Sequence, residues 1–263
     1  MRRLAVVGLV SLDRVDGGIP RLGGAPVYAA RAVRLLGQPT VVATKLADED
    51  RPRLSVLGLP VIAGHAPTTI GFRIENNGDH RRMTIEELGE PFGEAEARGW
   101  LTRALADADW AHAGALTRAD FPARTLAALA RGRMLSLDGQ ALVRRAAVGD
   151  LVLDAEYDPD VLAHVGVLKL ARDELDALGL ELTESSLGTL GIREIVVTLG
   201  RAGAVVYADG LAEHVPTIPL DAVDPTGAGD SWITAYIAFR RRRHSPVSAA
   251  RLANGALGAL LGR

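Results

Sequence analysis

Seven residues near the C-terminus, Asp224-Pro225-Thr226-Gly227-Ala228-Gly229-Asp230, have the types and spacing to do chemistry. Trp232, Ala235, Tyr236 and Phe239 follow at helical spacing, so a glycine-rich turn runs directly into an amphipathic helix. Such a junction binds anions. Glycines let the backbone approach a phosphate, the N–H groups of the first turn have no intrahelical acceptor, and the helix dipole adds partial positive charge. Asp230 falls in that first turn, where a carboxylate is electrostatically favoured and can face a hydroxyl held next to the phosphate. These parts suit phosphoryl transfer, with backbone donors on the γ-phosphate and Asp230 accepting the proton of the attacking hydroxyl. The plainer alternative is that Asp230 caps the helix and the glycines merely turn the chain.

The elements that must position this turn follow an α/β rhythm. Short β-branched runs alternate with helical patterns, which predicts a layered fold with a mainly parallel sheet. Strands are expected at Leu4–Val10, Thr40–Thr44, Trp110–Ala113, Met134–Asp138, Val165–Leu170 and Glu194–Leu199. Helical patterns cover Ala95–Ala106, Ala123–Ala130, Ala141–Ala147, Asp173–Leu178, Glu184–Leu190, Ala228–Arg242 and Val247–Leu261. A further helix follows Gly23-Gly24, with Pro26 near its first turn and Gly37 just past its end. One region breaks the rhythm: Thr68–Glu75 and Arg81–Glu87 are extended runs joined by Asn76-Asn77-Gly78-Asp79, a hairpin turn by composition. Inserted into an α/β chain, such a hairpin is a natural lid.

With these segments in order, the chain resembles the ribokinase-like (PfkB) carbohydrate kinases. Asp224–Asp230 is similar to their C-terminal signature, Asp-Thr-x-Gly-Ala-Gly-Asp, with Pro225-Thr226 as a variant. The resemblance implies that Asp230 is the catalytic base and that Gly227, Ala228 and Gly229 form the anion hole. It implies that Asp13, in the segment from Gly8 to Asp13, binds substrate hydroxyls, and that Gly23 and Gly24 let substrate approach the backbone. Val197-Thr198-Leu199-Gly200-Arg201-Ala202-Gly203-Ala204 resembles the nucleotide-side strand and turn, which places Thr198, Gly200 and Gly203 at the ATP site. Thr226 and Asn254 join that side, Asn254 at the adenine pocket. The implied fold is a three-layer α/β/α ribokinase-like domain over residues 1–263, with a mainly parallel sheet and a small β-lid at about 11–20 and 67–88.

The match has departures. Lys169-Leu170-Ala171-Arg172-Asp173-Glu174 is similar to the family's Asn-x-x-Glu segment, which organises Mg²⁺. Glu174 is the expected metal-side residue, but Ala171 replaces the asparagine, which predicts weaker metal organisation. Tyr28 stands where many members carry a sugar-contacting asparagine. Leu137-Asp138-Gly139-Gln140-Ala141-Leu142-Val143-Arg144 resembles the Asp-x-Gln-Gly-x-x-Arg stretch of a shorter subgroup that includes inositol kinases, so Asp138, Gln140 and Arg144 are expected to reach substrate or order its pocket. The chain is shorter than the usual sugar kinase of this type, which predicts a minimal lid. The resemblance also admits a monovalent cation near Asp224 and Thr226, and a homodimer formed lid to lid.

Composition bounds the alternatives. The chain has 263 residues, 48% of them apolar and 24% charged, as in ordinary globular proteins. A net charge of −2 and 4% aromatic residues argue against a nucleic-acid partner, which needs a basic face and stacking platforms. Arg240 to Arg243, the basic run, reads as the solvated end of a helix. With no cysteine, disulfides and thiolate metal sites are excluded. Met1-Arg2-Arg3 before Leu4–Val10 superficially resembles a signal peptide, but the short apolar run leads to Ser11-Leu12-Asp13-Arg14, so a first buried strand is preferred. No stretch approaches a membrane span, and the expected address is the cytoplasm. The substrate expected is a sugar or polyol, with ATP and Mg²⁺. Two readings stay open beside it: a nucleoside or vitamin-precursor kinase of the same fold, and a non-catalytic ligand-binding relative. A dinucleotide-binding dehydrogenase is disfavoured, since no Gly-x-Gly-x-x-Gly lies between the first strand and its helix.

Overall fold

The computed structural model describes residues 2–77, 80–217 and 226–261. Asp224, Pro225, Gly78 and Asp79 lie outside them, and with Asp224 goes half of the expected monovalent-cation site. The chain begins with β1 (Arg3–Val7), leaves that layer for β2 (Ser11–Val15) and β3 (Arg21–Gly23), and returns through α1 (Ala25–Leu35) to β4 (Thr40–Leu46). A 3₁₀ segment, Asp48–Leu57, leads to β5 (Val61–His65); β6 (Ile70–Asn77) and β7 (His80–Glu87) leave the layer again. The short helices α2 (Glu94–Glu96) and α3 (Thr102–Ala104) precede β8 (Ala108–Ala113), α4 (Ala123–Leu129) and β9 (Met134–Asp138). Next come α5 (Gln140–Val143), β10 (Gly149–Asp150), β11 (Val167–Ala171), α6 (Arg172–Ala177) and α7 (Glu184–Gly188). The chain finishes with β12 (Glu194–Thr198), β13 (Ala204–Ala208), β14 (Leu211–Val215), α8 (Ala228–Arg241) and α9 (Pro246–Leu261).

Nine strands form the main sheet in the order β14-β13-β12-β11-β9-β8-β1-β4-β5. Every pair from β12 to β5 is parallel, and at one edge β13 is reversed, pairing antiparallel with both β12 and β14. The layers follow from the two-residue period of the strands. In β1, Leu4 and Val6 pack in one apolar cluster with Ala29, Val33, Trp232 and Tyr236 from α1 and α8, while Ala5 and Val7 join a second cluster on the opposite face. From β1 the chain builds first outward to β4 and β5, then in the other direction from β8 to β12. Ligand crevices of such sheets open at the carboxyl ends of the strands where this direction changes.

The remaining five strands form a separate sheet, β10-β7-β6-β2-β3. Its inner face carries Asp13, Phe72, Ile74, Met83 and Ile85, whereas Arg82 and Thr84 of β7 turn outward and bond Asp150. The lid is therefore larger than the minimal one expected. Arg21–Gly23 and Gly149–Asp150 add to it.

Three other expectations change. The pattern over Ala95–Ala106 is broken at Gly99, whose φ −94° and ψ −109° are non-helical. The helix expected at Ala141–Ala147 stops at Val143 because Arg144 is extended and bridges Leu153. Arg240 and Arg241 are not solvated: Arg240 pairs with Glu194 at 2.8 Å, Glu194 accepts from Tyr236 Oη at 2.5 Å, and Arg241 meets Asp109 at 2.7 Å. The end of α8 is thus tied to the sheet's far side.

Candidate active site

Two cavities meet at Asp230. One, of ≈ 100 Å³, lies beneath the lid and is lined by Ser11, Asp13, Gly24, Tyr28, Phe72, Arg81, Gln140, Arg144, Thr226, Gly227 and Asp230. The other, of ≈ 380 Å³, runs over Lys169, Ala171, Arg172, Glu174, Thr198, Gly200 and the Gly227–Gly229 backbone, again with Arg81, Gln140, Arg144 and Asp230. A third, of ≈ 110 Å³, continues past Thr198 and Gly200 to Gly203, Trp232 and Asn254.

The turn before α8 needs its glycines. Gly227 adopts φ +74°, and a Cβ there would lie 2.0 Å from the Tyr28 ring. The chain therefore folds this tightly only with glycine at 227. Tyr28 in turn is fixed by Ser231, whose Oγ donates to the Tyr28 carbonyl at 3.2 Å, and by Arg31, which lies over its ring. Burial and then the nearby Asp13 push the Tyr28 phenol up to about 12, so it meets a ligand as a neutral hydroxyl.

Asp230 sits in the first turn of α8. Burial pushes its carboxyl up to about 7, Asp138 adds to that, and Lys169 and Arg144 oppose it. Desolvation is thus the dominant cause, tempered by neighbouring cations. Lys169, on β11, is buried, with its Nζ 3.6 Å from Asp138 and 3.7 Å from Glu174. Burial alone would lower its pKa, but Asp138, Glu174 and Asp230 outweigh it and hold the ammonium charged. Glu174 begins α6, where Oε2 accepts from the Ala171 amide at 2.7 Å; burial raises its pKa and Lys169 opposes this.

On the lid side, Ser11 Oγ donates to Asp13 Oδ1 at 2.7 Å. Burial raises the Asp13 pKa, while Ser11, Arg21, Arg81 and Arg144 work against it. Gly23 does not line the cavity. A Cβ there would lie 1.9 Å from Asp13 Oδ2, so this glycine makes room for the carboxylate; Gly24, at φ +87°, lines the cavity itself.

The geometry brings Asp13, Gly24, Tyr28, Gln140, Arg144, Gly227 and Asp230 around one space. Ala228, Gly229, Thr198, Gly200 and Glu174 surround the second. Thr226, expected on the nucleotide side, lines the lid-side cavity, and Gly203 lies only at the outer, third one. Asn254 lines that outer cavity too, but its amide is engaged: Oδ1 accepts from Trp232 Nε1 at 2.7 Å and Nδ2 donates to the Pro216 carbonyl at 3.0 Å. Lys169, Arg81 and Arg172 were missed by sequence reasoning. The i, i+2 alternation of β7 from Ile85 through Met83 to Arg81 was the available signal for Arg81. Glu174 follows in the same segment, but nothing local to Lys169 announces Asp138 and Asp230 beside it.

The buried Asp138 Oδ2 and Gln140 Oε1 have no hydrogen-bond donor among the described residues. Asp138 ends β9 and Gln140 opens α5 just after it. Buried polar atoms of this kind call for a partner, and Gln140 faces both cavities, so a polar ligand suits it. No group of three or more His, Asp or Glu side chains among the described residues is arranged to hold a metal. The Lys169 ammonium occupies the space between Asp138 and Glu174.

Residues 20–261 match the model of the pfkB family carbohydrate kinases, and the chain belongs to that family. It is 34% identical to inositol 3-kinase of Zea mays over 126 residues, which cover 46% of this chain and 32% of that protein. It is 30% identical to the bifunctional protein HldE of Halorhodospira halophila across 100% of this chain and 56% of that one. The matches thus span about a third to just over half the length of these relatives. Among solved structures, a pyrophosphate-dependent kinase in the ribokinase family, complexed with a pyrophosphate analog and myo-inositol, superposes with a TM-score of 0.83 at 26% identity, covering 99% of this chain and 95% of that one. The fold is ribokinase-like. Among the described residues, no helix is long and apolar enough to cross a membrane.

Proposed function

We propose that the chain is a kinase that transfers the γ-phosphoryl group of ATP to a hydroxyl of a sugar or polyol of the inositol kind, with Asp230 as the base. The observation that carries this reading is the placement of Asp230 where the two cavities meet, in the turn that also presents the Gly227–Gly229 backbone. The lid-side cavity suits a small polyol. Asp13 accepts hydrogen bonds and Arg144 donates them, while Tyr28 and Phe72 are the aromatic rings on its wall. A flat base would call for more aromatic surface.

In the reaction, Asp13, Tyr28 and Gln140 orient the acceptor so that one hydroxyl points at Asp230. Asp230 removes its proton as the hydroxyl oxygen bonds to phosphorus. The Gly227–Gly229 amides hold the equatorial oxygens, and Lys169, charged and buried, keeps Asp230 from becoming a permanently protonated acid. Among the described residues, no metal site is assembled from three or more acids or histidines. Asp173 and Glu174, which line the second cavity, would be the carboxylates to hold a Mg²⁺ ion, and the ion would supply neutralisation of phosphate charge.

A second donor, inorganic pyrophosphate, is favoured by one specific feature. Arg81, Arg144, Lys169 and Arg172 all line the donor cavity, and four cations suit a donor that is all charge and has no base to bind. Turnover of a pool of sugars and polyols, run with ATP and with pyrophosphate, decides acceptor and donor together. The Asp230→Asn variant should fold and bind donor yet lose roughly 10²–10⁴ of turnover. Near-normal turnover in that variant removes Asp230 from the mechanism.

A further inference from the structure

The five residues shared by the donor and acceptor cavities are Arg81, Gln140, Arg144, Gly227 and Asp230. A phosphoryl group passing from one cavity to the other must cross this boundary. Gly227 and Asp230 already have roles there as anion hole and base. Arg81 is different, because it comes from the lid.

On β7, Arg81 pairs with Asn76 of β6, and the next positions on the same face, Met83 and Ile85, pair with Ile74 and Phe72. Those four apolar side chains line or close the lid's inner face, three of them on the acceptor cavity. Strand alternation therefore places Arg81 on the lid's inner face, where it lines both cavities while staying exposed at their mouth. Its neighbours on the outward face are accounted for: Arg82 forms a two-pronged pair with Asp150, and Arg73 meets Glu86. Among the described residues, the Arg81 guanidinium makes no hydrogen bond or ion pair and acts electrostatically on Asp13. Ser11 and Asp13 border only the acceptor space, and Lys169 and Arg172 only the donor space.

We propose that Arg81 is a further catalytic residue, a lid-borne guanidinium that grips the phosphoryl group in transit between donor and acceptor, opposite the Gly227–Gly229 amides. The inference rests on the kinase reading above. The acceptor oxygen forms its bond to phosphorus and gives its proton to Asp230, while the bond from phosphorus to the donor's bridging oxygen breaks and its electron pair leaves with ADP, or with phosphate if the donor is pyrophosphate. Arg81 is unchanged covalently. It supplies two parallel N–H donors to oxygens that the backbone amides leave free, a geometry guanidinium suits and ammonium does not. Because the residue belongs to the lid, the site is complete only where the lid covers it, which couples acceptor binding to phosphoryl transfer.

The test compares wild type, Arg81→Met, Arg81→Ala, Arg81→Lys and Asp230→Asn with the acceptor found in the pool assay, using ATP and pyrophosphate in turn. Arg81→Met should lower kcat by at least about 10²-fold with each KM within a few-fold, the pattern for a contact made in the transition state. Arg81→Lys should recover only part of the loss, and added guanidinium ion should partly rescue Arg81→Ala. An unchanged kcat, a loss confined to either KM, or a loss tracked by an equal fall in Tm would each overturn the proposal while the kinase reading stands. A wild type that phosphorylates nothing in the pool overturns both.

Discussion

Under the proposed mechanism, Asp230 must be buried enough to sit against a phosphoryl group and still ionise when a hydroxyl arrives. Burial and Asp138 raise its pKa, and Lys169 restores part of the balance. The base works only when deprotonated, so kcat/KM should rise about tenfold per pH unit up to about 7 and level off above it. Lys169→Met removes the opposing charge, and the acid limb should then move to higher pH. A limb that stays in place would show that Lys169 does not act on the base. Stability runs the opposite way over this range. A carboxyl raised from 3.8 to about 7 holds a proton in the folded state that the unfolded chain releases, so between those values stability falls as pH rises. Asp230→Asn should flatten part of that slope in Tm measured against pH. At this scale the sequence was legible for residues on one contiguous turn. It was mute for Lys169, whose meaning lies in Asp138, Glu174 and Asp230, each from a different stretch of chain.

At the scale of elements, the site depends on α1 and α8 closing on each other at a point with no spare room. Gly227 caps α8 in a left-handed conformation directly against the Tyr28 ring of α1. Gly227→Ala should cost about 1–2 kcal/mol for the backbone conformation alone, and more for the clash. Shortening the partner separates the two contributions: Tyr28→Ala with Gly227→Ala should regain the steric part and leave the backbone part. Thermal unfolding of the two single variants and the double variant reads this directly. Additive losses would mean that the helices move apart freely and that the turn is not held by Tyr28. The glycine pattern and the helix after it were readable because cap, dipole and periodicity are local. The break at Gly99 and the early stop of α5 were not. The first is a bend inside an otherwise helical pattern, and the second depends on Arg144 bridging Leu153.

At the scale of the molecule, two sheets share one cleft. The alternation of β-branched and helical segments announced the main sheet, and the Thr68–Glu87 hairpin announced a lid. The lid's true extent was hidden, because β3 and β10 are three and two residues long and acquire meaning only by pairing with β2 and β7. What the larger lid adds is cover. Phe72, Ile74 and Met83 form an apolar roof over the acceptor cavity, and beneath such a roof water is the acceptor that must be kept out. Ile74→Ala with Met83→Ala thins that roof while leaving Asp230 and the glycine turn in place. Donor hydrolysis measured without acceptor should then rise severalfold relative to acceptor phosphorylation, since water gains access to the same base and the same phosphoryl group. If both rates fall together, the roof acts by holding Arg81 and the acceptor in position; if neither changes, water is excluded by the bound polyol alone.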